Sequence, residues 1–203
     1  MTEATAIHIL PVLLFCISCS VTPGPNNIMI MSSGLNYGVR ASMQHLFGIC
    51  FGFVLMMLIV GLGLGSVFQS FPVIAEIIKY AGMLYLLYLA WKIASSSLQL
   101  DSVPSRQPMG FVQAMIFQWV NPKAWVMIAS SISAYASEAF PSLSSEGQVL
   151  MITLIFFVVG SPCVAIWLFF GAALKRVLKN PVAQKRFNIA MAVLLVISVA
   201  WVM

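Results

Sequence analysis

Charged side chains are scarce in this sequence of 203 residues. They make up 7% of the chain, while hydrophobic residues make up 61%; a soluble domain has roughly 25% charged residues. The mean hydropathy is +1.01. A chain this poor in charge cannot stay in solution as a monomer, and no segment is left over for a separate soluble domain. The sequence therefore predicts an integral membrane protein whose function lies within the bilayer.

Motifs of the common hydrolytic enzymes are also absent. The chain has no His-Glu-x-x-His zinc motif, no Gly-x-Ser-x-Gly nucleophile motif and no Walker A phosphate loop. Its cysteines lie in apolar stretches; two of them are three residues apart on one predicted helix, but no partner pair at metal-ligand spacing exists elsewhere, and we expect all four to pack as small apolar side chains. These cysteines are Cys16, Cys19, Cys50 and Cys163. We expect no enzyme, no ATP-driven pump, no metal and no cofactor.

Long runs with few or no charges divide the sequence into six apolar spans. Each is long enough, or nearly so, to cross the hydrocarbon core of a bilayer as a helix. The apolar residues are continuous rather than alternating, which argues against the strands of a transmembrane barrel. The spans are residues 7–31, 44–68, 72–93, 111–132, 149–174 and 187–203. We predict an all-α membrane protein with a single transmembrane domain over residues 1–203.

Basic residues are distributed unevenly between the two sets of loops. The N-terminus and the loops after spans 2 and 4, with the span ends beside them, hold one, Lys79. The loops after spans 1, 3 and 5, with the span ends beside them, hold eight: Arg40, Lys92, Arg106, Lys175, Arg176, Lys179, Lys185 and Arg186. Since basic loops stay in the cytoplasm, both termini are predicted to face outward. Anchoring of loops at the lipid bilayer explains the net charge of +5, and we expect no nucleic-acid partner.

Two of the spans are interrupted by proline. Span 1 contains Thr-Pro-Gly-Pro-Asn-Asn at residues 22–27, and span 4 contains Asn-Pro-Lys at residues 121–123. Each interruption begins with a capping-type residue followed by proline, which is the typical start of a helix, so Thr22 and Asn121 are predicted N-caps. We therefore predict that spans 1 and 4 each consist of two half-helices, with a new helix N-terminus inside the membrane.

The interruptions fall in the first span of each group of three. Because three is odd, the two halves, residues 7–95 and 111–203, would have opposite orientations. Matched breaks in two inverted halves are the best sequence indication of a secondary transporter site. The two new N-termini would meet near the membrane centre and favour an anionic group such as a carboxylate. The alternative is that the prolines only bend their helices.

Polar residues beside the breaks are the candidates for binding a substrate. Lys123 is the one charged side chain predicted deep in a span, and three roles are open to it: binding a substrate carboxylate, proton coupling, and capping the carbonyls freed by the first break. His45, at the start of span 2, is a second candidate for proton coupling, unless it merely faces the interface. Ser161-Pro162 in span 5 predicts a third kink along the path. The candidate substrate-binding residues are Thr22, Pro23, Gly24, Pro25, Asn26, Asn27, Gln118, Asn121, Pro122 and Lys123.

Two other patterns constrain the partners. The acidic residues all fall at span ends or in loops, so a cationic substrate would lack a buried counter-charge and a neutral or zwitterionic one is expected. Gly48 and Gly52 in span 2 form a small-xxx-small pair, which lets helices approach closely. This pair is predicted to serve packing within the bundle, and a homodimer face is the alternative.

The two break motifs, Thr-Pro-Gly-Pro-Asn-Asn at 22–27 and Asn-Pro-Lys-Ala at 121–124, resemble those of the lysine exporter (LysE/RhtB) superfamily of amino-acid efflux proteins. Length, the six spans and the two halves are similar over the whole chain. The Asn26-Asn27 pair and the segment Ala-Trp-Lys-Ile-Ala at 90–94 are most similar to the cysteine/O-acetylserine exporter branch.

The resemblance implies a secondary exporter of small neutral amino acids or derivatives in the bacterial inner membrane, driven by the proton gradient. A passive channel or facilitator for small solutes is the first alternative, since it would share the broken helices and need no coupling. An intramembrane enzyme is the second, and the scattered serines and cysteines supply no convincing catalytic set for it.

Overall fold

The computed structural model describes residues 3–64, 72–95, 107–177 and 180–200, and in these residues the chain forms helices and no strand. The helices of the first half are α1 (Glu3–Val21), α2 (Pro25–Tyr37), α3 (Met43–Ile59) and α4 (Pro72–Ala94). Those of the second half are α5 (Phe111–Phe117), α6 (Pro122–Ala139), α7 (Ser145–Ile155), α8 (Ser161–Val177) and α9 (Pro181–Ala200). The all-α prediction is confirmed for this part of the chain.

Two continuous helical stretches are long and apolar enough to cross a membrane, Arg40–Gly63 and Ser145–Lys175. The first is built on α3 and ends in a π-helical stretch, Val60–Leu64; the second joins α7 to α8 through a π-helical turn, Phe156–Gly160. Helices α1 and α2 meet the same criterion only as one span, which is bent by 51° at its break. Length and composition of the described residues thus support two or three spans, and six spans stay a prediction.

The helices extend beyond several of the predicted spans. Helix α2 continues to Tyr37 although the span was predicted to end at residue 31, because the Asn36 amide donates to the Ser32 carbonyl at 2.7 Å and so satisfies polar groups inside the helix. Helix α9 begins at Pro181 rather than at residue 187, since the Asn180 side chain accepts from the backbone of Val182. Residues 65–68 of span 2 and 201–203 of span 6 lie outside the described residues.

The break in span 1 lies where it was predicted, but the second half-helix starts later than expected. The N-cap of α2 is Gly24 and its first residue is Pro25, so the predicted cap, Thr22, is wrong. The Thr22 hydroxyl instead donates to the carbonyl of Cys19 at 3.0 Å and so belongs to the end of α1. Gly24 is fully extended, at φ −172° and ψ 175°, as the residue before a proline must be.

The break in span 4 has the predicted form. Helix α5 ends in a 3₁₀ turn, Gln118–Val120, and Asn121 then adopts an extended conformation. The Asn121 side chain accepts from the backbone N–H of Lys123 at 3.2 Å, and Pro122 is the first residue of α6. Asn121 is therefore the N-cap that the sequence predicted.

Helix α2 of the first half packs against α8 of the second at backbone contact. A Cβ atom on Gly171 would clash with the Met31 carbonyl, and one on Gly34 would clash with the Leu168 carbonyl. At Gly34 the backbone of α2 lies directly against that of α8, and at Gly171 the backbone of α8 lies directly against that of α2. These contacts fix the position of α2.

Glycines also allow α3 to approach α5. A Cβ atom on Gly48 would clash with the Phe111 carbonyl, and one on Gly52 would lie 2.6 Å from the Met115 Cα. The small-xxx-small pair therefore serves packing within one chain, as predicted. Helix α4 packs along α9, and together they bury a cluster that includes Leu86.

Candidate functional site

A cavity lies where the two breaks meet. Its empty space, including the part open at its mouth, is about 520 Å³. The breaks contribute Gly24, Asn26, Asn27, Asn121 and Lys123 to its lining. Other elements contribute Cys19, Ser20, Ile49, Cys50, Phe53, Ala124, Met127, Phe156, Gly160, Ser161 and Val164. Among the described residues that line this cavity, Lys123 is the only cation and no Asp or Glu is present.

The Lys123 ammonium is bound to the end of α1. Its Nζ donates to the Thr22 carbonyl at 2.7 Å and to the Thr22 hydroxyl at 2.8 Å, and it lies 3.4 Å from the Pro23 carbonyl. The last carbonyls of a helix have no partner within the helix, so a donor from elsewhere must satisfy them. Of the three roles open to Lys123, capping is the one whose contacts are present; substrate binding and proton coupling stay predictions.

Gly24 gives the Lys123 side chain its space. Its extended backbone is open to any residue, but a Cβ atom there would lie 2.6 Å from the Lys123 Cδ and 3.1 Å from its Nζ. A glycine also has no side chain to cap a helix, and Pro25 has no N–H. The first backbone N–H groups of α2, those of Asn26 and Asn27, are therefore left without a side-chain cap.

The two half-helix N-termini at the cavity differ in whether a side chain caps their first backbone N–H groups. In α6, the N–H of Lys123 is bound by the Asn121 side chain and the N–H of Ala124 by the Asn121 carbonyl at 3.0 Å. In α2, the N-terminus begins without a side-chain cap at the wall of the cavity. The positive end of the α2 dipole and the Lys123 ammonium thus border the same space, an arrangement that favours an anionic group on a small solute.

The two asparagines that follow the first break make different contacts. Asn27 is buried, and its amide donates to the carbonyls of Ser20 and Thr22, both at 2.8 Å, which closes the end of α1. Asn26 forms a reciprocal pair with the buried Gln118: its amide nitrogen donates to Gln118 Oε1 at 2.8 Å, and its Oδ1 accepts from Gln118 Nε2 at 3.2 Å. This pair joins the first break directly to the second.

The structure brings the predicted site residues together in two groups. Those that line the cavity are Gly24, Asn26, Asn27, Asn121 and Lys123. Those that form its frame without lining it are Thr22, Pro23, Pro25, Gln118 and Pro122. Ser161, predicted to border the path at a kink in span 5, is also part of the lining.

His45 does not belong to this cavity. It lines a second cavity, is only 2% exposed, and its Nδ1 lies 2.9 Å from the Ser33 hydroxyl. The alternative that it faces the membrane interface is therefore wrong, because its neighbours are buried protein groups. Its role in proton coupling stays a prediction.

Sequence reasoning missed the contribution of α1 and α3 to the lining. Cys19 lies one turn before the break, and Cys50 and Phe53 lie one turn apart on α3. The i, i+3 spacing places the latter two on one helix face, but it does not tell a cavity from a core. Within the described residues, no group of three His, Cys, Asp or Glu side chains is placed to hold a metal ion.

Comparison with known proteins identifies the family of this chain. Residues 17–202 match the family model described as LysE type translocator. The cysteine/O-acetylserine efflux proteins of Escherichia coli strain K12, Escherichia coli O1:K1 and Shigella flexneri are each 29% identical to this chain over 177 residues, or 87% of this chain and 88% of each relative. No solved structure matches the chain. The resemblance read from the two break motifs is confirmed, and this apolar, helical membrane protein belongs to the LysE type translocator family.

Proposed function

We propose that the protein is a secondary active exporter of small neutral amino acids or derivatives, of the cysteine and O-acetylserine kind, from the bacterial cytoplasm. The observation that carries this proposal is the cavity between the two breaks, where the open N-terminus of α2 and the Lys123 ammonium lie side by side. The carboxylate of a zwitterionic solute is stabilised in such a place. Membership of a translocator family and the names of the relatives support the same substrate class.

The architecture we propose is six spans in two inverted halves. The matched breaks at the starts of α2 and α6 support it. So does the spacing of the π-helical turns, because Val60 lies 35 positions after Pro25 and Phe156 lies 34 positions after Pro122. Packing of α4 against α9, the last helix of each half, agrees with a two-fold relation between the halves.

The chain would lie in the inner membrane with both termini outside the cytoplasm, as the excess of basic residues in one set of loops indicates. We propose that the proton gradient drives export, with His45 or Lys123 as the coupling group, since the sequence holds no nucleotide-binding motif. A homodimer stays a prediction.

Transport by inverted membrane vesicles tests this function. Vesicles from cells that overproduce the protein expose its cytoplasmic face, and radiolabelled cysteine, kept reduced, is supplied outside with the vesicle interior acidified. With one proton exchanged per solute, a gradient of one pH unit is expected to drive accumulation approaching about tenfold, because 1.4 kcal/mol corresponds to a factor of ten. Vesicles containing the Asn121→Ala variant, which loses the cap of α6, serve as the control.

The outcomes separate the candidate functions. Accumulation that requires the gradient supports a coupled exporter. Equilibration of cysteine without accumulation would contradict coupling and favour the passive facilitator. Absence of any movement of cysteine or O-acetylserine through the wild-type protein would contradict the proposed function itself.

A further inference from the structure

A second cavity lies between α2, α3, α4 and residues 107–109. Its empty space, including the part open at its mouth, is about 450 Å³. The polar side chains that the inference uses are Ser32, Ser33, Asn36, His45, Lys92 and Gln107. Among the described residues lining this cavity, Lys92 is the cation and no carboxylate is present. An ammonium group beside neutral hydrogen-bonding groups suits an anionic oxygen ligand.

The buried His45 gives an independent indication that a polar ligand belongs here. Its side chain is 2% exposed, and its Nδ1 contacts the Ser33 hydroxyl. Its Nε2 has no hydrogen-bond partner within the part of the chain that the structure describes. When the proton is on Nε2, this buried N–H lacks an acceptor, which is costly, and a ligand oxygen in the adjoining cavity would accept from it.

The polar lining is held in place before any ligand binds. Asn36 donates to the Ser32 hydroxyl oxygen at 3.1 Å, and its own Oδ1 accepts from Gln184 of α9 at 3.1 Å. Because the Ser32 oxygen accepts from Asn36, its hydrogen is available to a ligand. Side chains fixed in this way lose little conformational freedom on binding, which is the usual property of a built site.

The second cavity shares two helices with the cavity between the breaks. Along α2, Asn27 lines the first cavity and Ser33 the second, six residues or about 9 Å further along the axis. Ile30 of α2 packs with Leu46 and Ile49 of α3 in one buried apolar cluster, and Ile49 also lines the first cavity. On α2, the apolar Ile30 thus lies between Asn27 of the first cavity and Ser33 of the second.

We propose that the second cavity is an entry subsite, in which the exported amino acid docks by its carboxylate before it reaches the cavity between the breaks. The Lys92 ammonium would supply the charge, and Ser32 and Ser33 the neutral hydrogen bonds. Arg40, a basic residue that the positive-inside rule assigns to the cytoplasm, follows the end of α2, so the subsite faces the cytoplasm in the orientation proposed above. This inference rests on the proposed function, since its ligand is the solute of that exporter.

A phospholipid phosphate has the same chemistry as a carboxylate and lies at the same depth as the basic loops. A solute reaches the cavity from the aqueous phase, whereas a lipid headgroup reaches it from the bilayer. The lipid composition of reconstituted vesicles therefore distinguishes the two ligands. If the ligand is a solute, Lys92→Gln has the same effect on cysteine uptake in vesicles of phosphatidylcholine alone and in vesicles that contain phosphatidylglycerol.

The test compares Lys92→Gln with Arg40→Gln, which removes an exposed cation from the same side of the protein without touching the cavity. Cysteine uptake is measured in vesicles whose cytoplasmic protein face is outside, over a range of cysteine concentrations. Lys92→Gln is expected to raise the half-saturating concentration about tenfold and to change the maximal rate by less than about twofold, because one charge-assisted hydrogen bond is lost from binding. Arg40→Gln is expected to leave both unchanged.

Three results would overturn the subsite. If Lys92→Gln has the wild-type half-saturating concentration and maximal rate for cysteine, the Lys92 ammonium does not bind the solute. An effect of Lys92→Gln seen only with phosphatidylglycerol present would assign the cavity to a lipid headgroup. Failure of the wild-type protein to move cysteine would remove the proposed function and the subsite with it, whereas the first two results leave the exporter intact.

Discussion

Replacing Lys123 with methionine is expected to lower cysteine export below about a hundredth of the wild-type rate, while the chain remains in the membrane. Methionine keeps the length of the side chain but offers no donor. The Thr22 carbonyl and hydroxyl and the Pro23 carbonyl would lose the ammonium that now contacts them. Carbonyls left open inside a membrane protein are costly, so the end of α1 would rearrange and distort the cavity.

Export is measured in inverted vesicles, normalised to the amount of protein in the membrane. Lys175→Met is the matched control, because Lys175 is an exposed cation near the end of α8 and lines neither cavity. Lys123→Arg separates charge from shape and remains informative if the methionine variant is not inserted. Wild-type export by well-inserted Lys123→Met would show that the ammonium is not needed at the break.

The same variant separates two roles of Lys123. Cysteine and its amide, in which the carboxylate is blocked, are compared as competing solutes. If the ammonium acts by capping α1, the variant loses transport of both solutes and keeps their ratio. If the ammonium binds the carboxylate, the preference for cysteine over the amide disappears. The contacts to Thr22 and Pro23 predict a general loss of transport, and the proposed carboxylate site predicts that the preference for cysteine over the amide is lost as well.

Replacing Gly171 with alanine is expected to destabilise the protein by about 3 kcal/mol, which is at the upper end of the usual cost of overpacking. The added Cβ would meet the Met31 carbonyl, and the backbone of α2 cannot move aside because Gly34 holds the matching contact with Leu168. Helices α2 and α8 would therefore separate. Since α2 carries Asn26 at one end and Ser33 further along, both cavities would be disturbed.

Thermal unfolding of the purified protein in detergent measures this effect. Gly110→Ala is the control, since Gly110 has φ −74° and no atom beyond its two neighbours in the chain lies within 4 Å of the position of its Cβ. We expect the melting temperature to fall clearly for Gly171→Ala and to stay near the wild-type value for Gly110→Ala. Equal melting temperatures for the two variants would contradict backbone contact between α2 and α8.

The sequence predicts the breaks well because their causes are local. Proline has no N–H and clashes with the preceding turn, which favours a break in the helix at Pro23 and at Pro122. Asn121 is a correct N-cap for the same reason, since its side chain needs only the backbone two residues ahead. The cap at Thr22 fails because a second proline, Pro25, starts the helix two residues later than the first would have done.

The sequence alone does not predict contacts between residues that lie far apart along the chain. Nothing local pairs Asn26 with Gln118, which are 92 positions apart, or Lys123 with Thr22, which are 101 positions apart. The burial of His45 likewise depends on where α2 packs. Hydropathy also predicts an end for α2 that is too early, because the polar side chain of Asn36 forms hydrogen bonds within its own helix and with Gln184 of α9.

Thiol labelling of Cys19 tests most directly whether solute occupies the cavity between the breaks. Cys19 lines that cavity and is partly exposed, so a chain that keeps Cys19 and has alanine at the other three cysteines reports on the site alone. O-acetylserine is the ligand, because it has no thiol to consume the reagent. A chain without native cysteines but with Ser95→Cys, an exposed position outside both cavities, is the control.

At ten times its half-saturating concentration, O-acetylserine is expected to slow labelling of Cys19 about tenfold, as mass action requires for a shared site, and to leave labelling at position 95 unchanged. The same labelling rate at Cys19 with and without O-acetylserine, in a chain that still exports it, would contradict a solute site between the two broken helices.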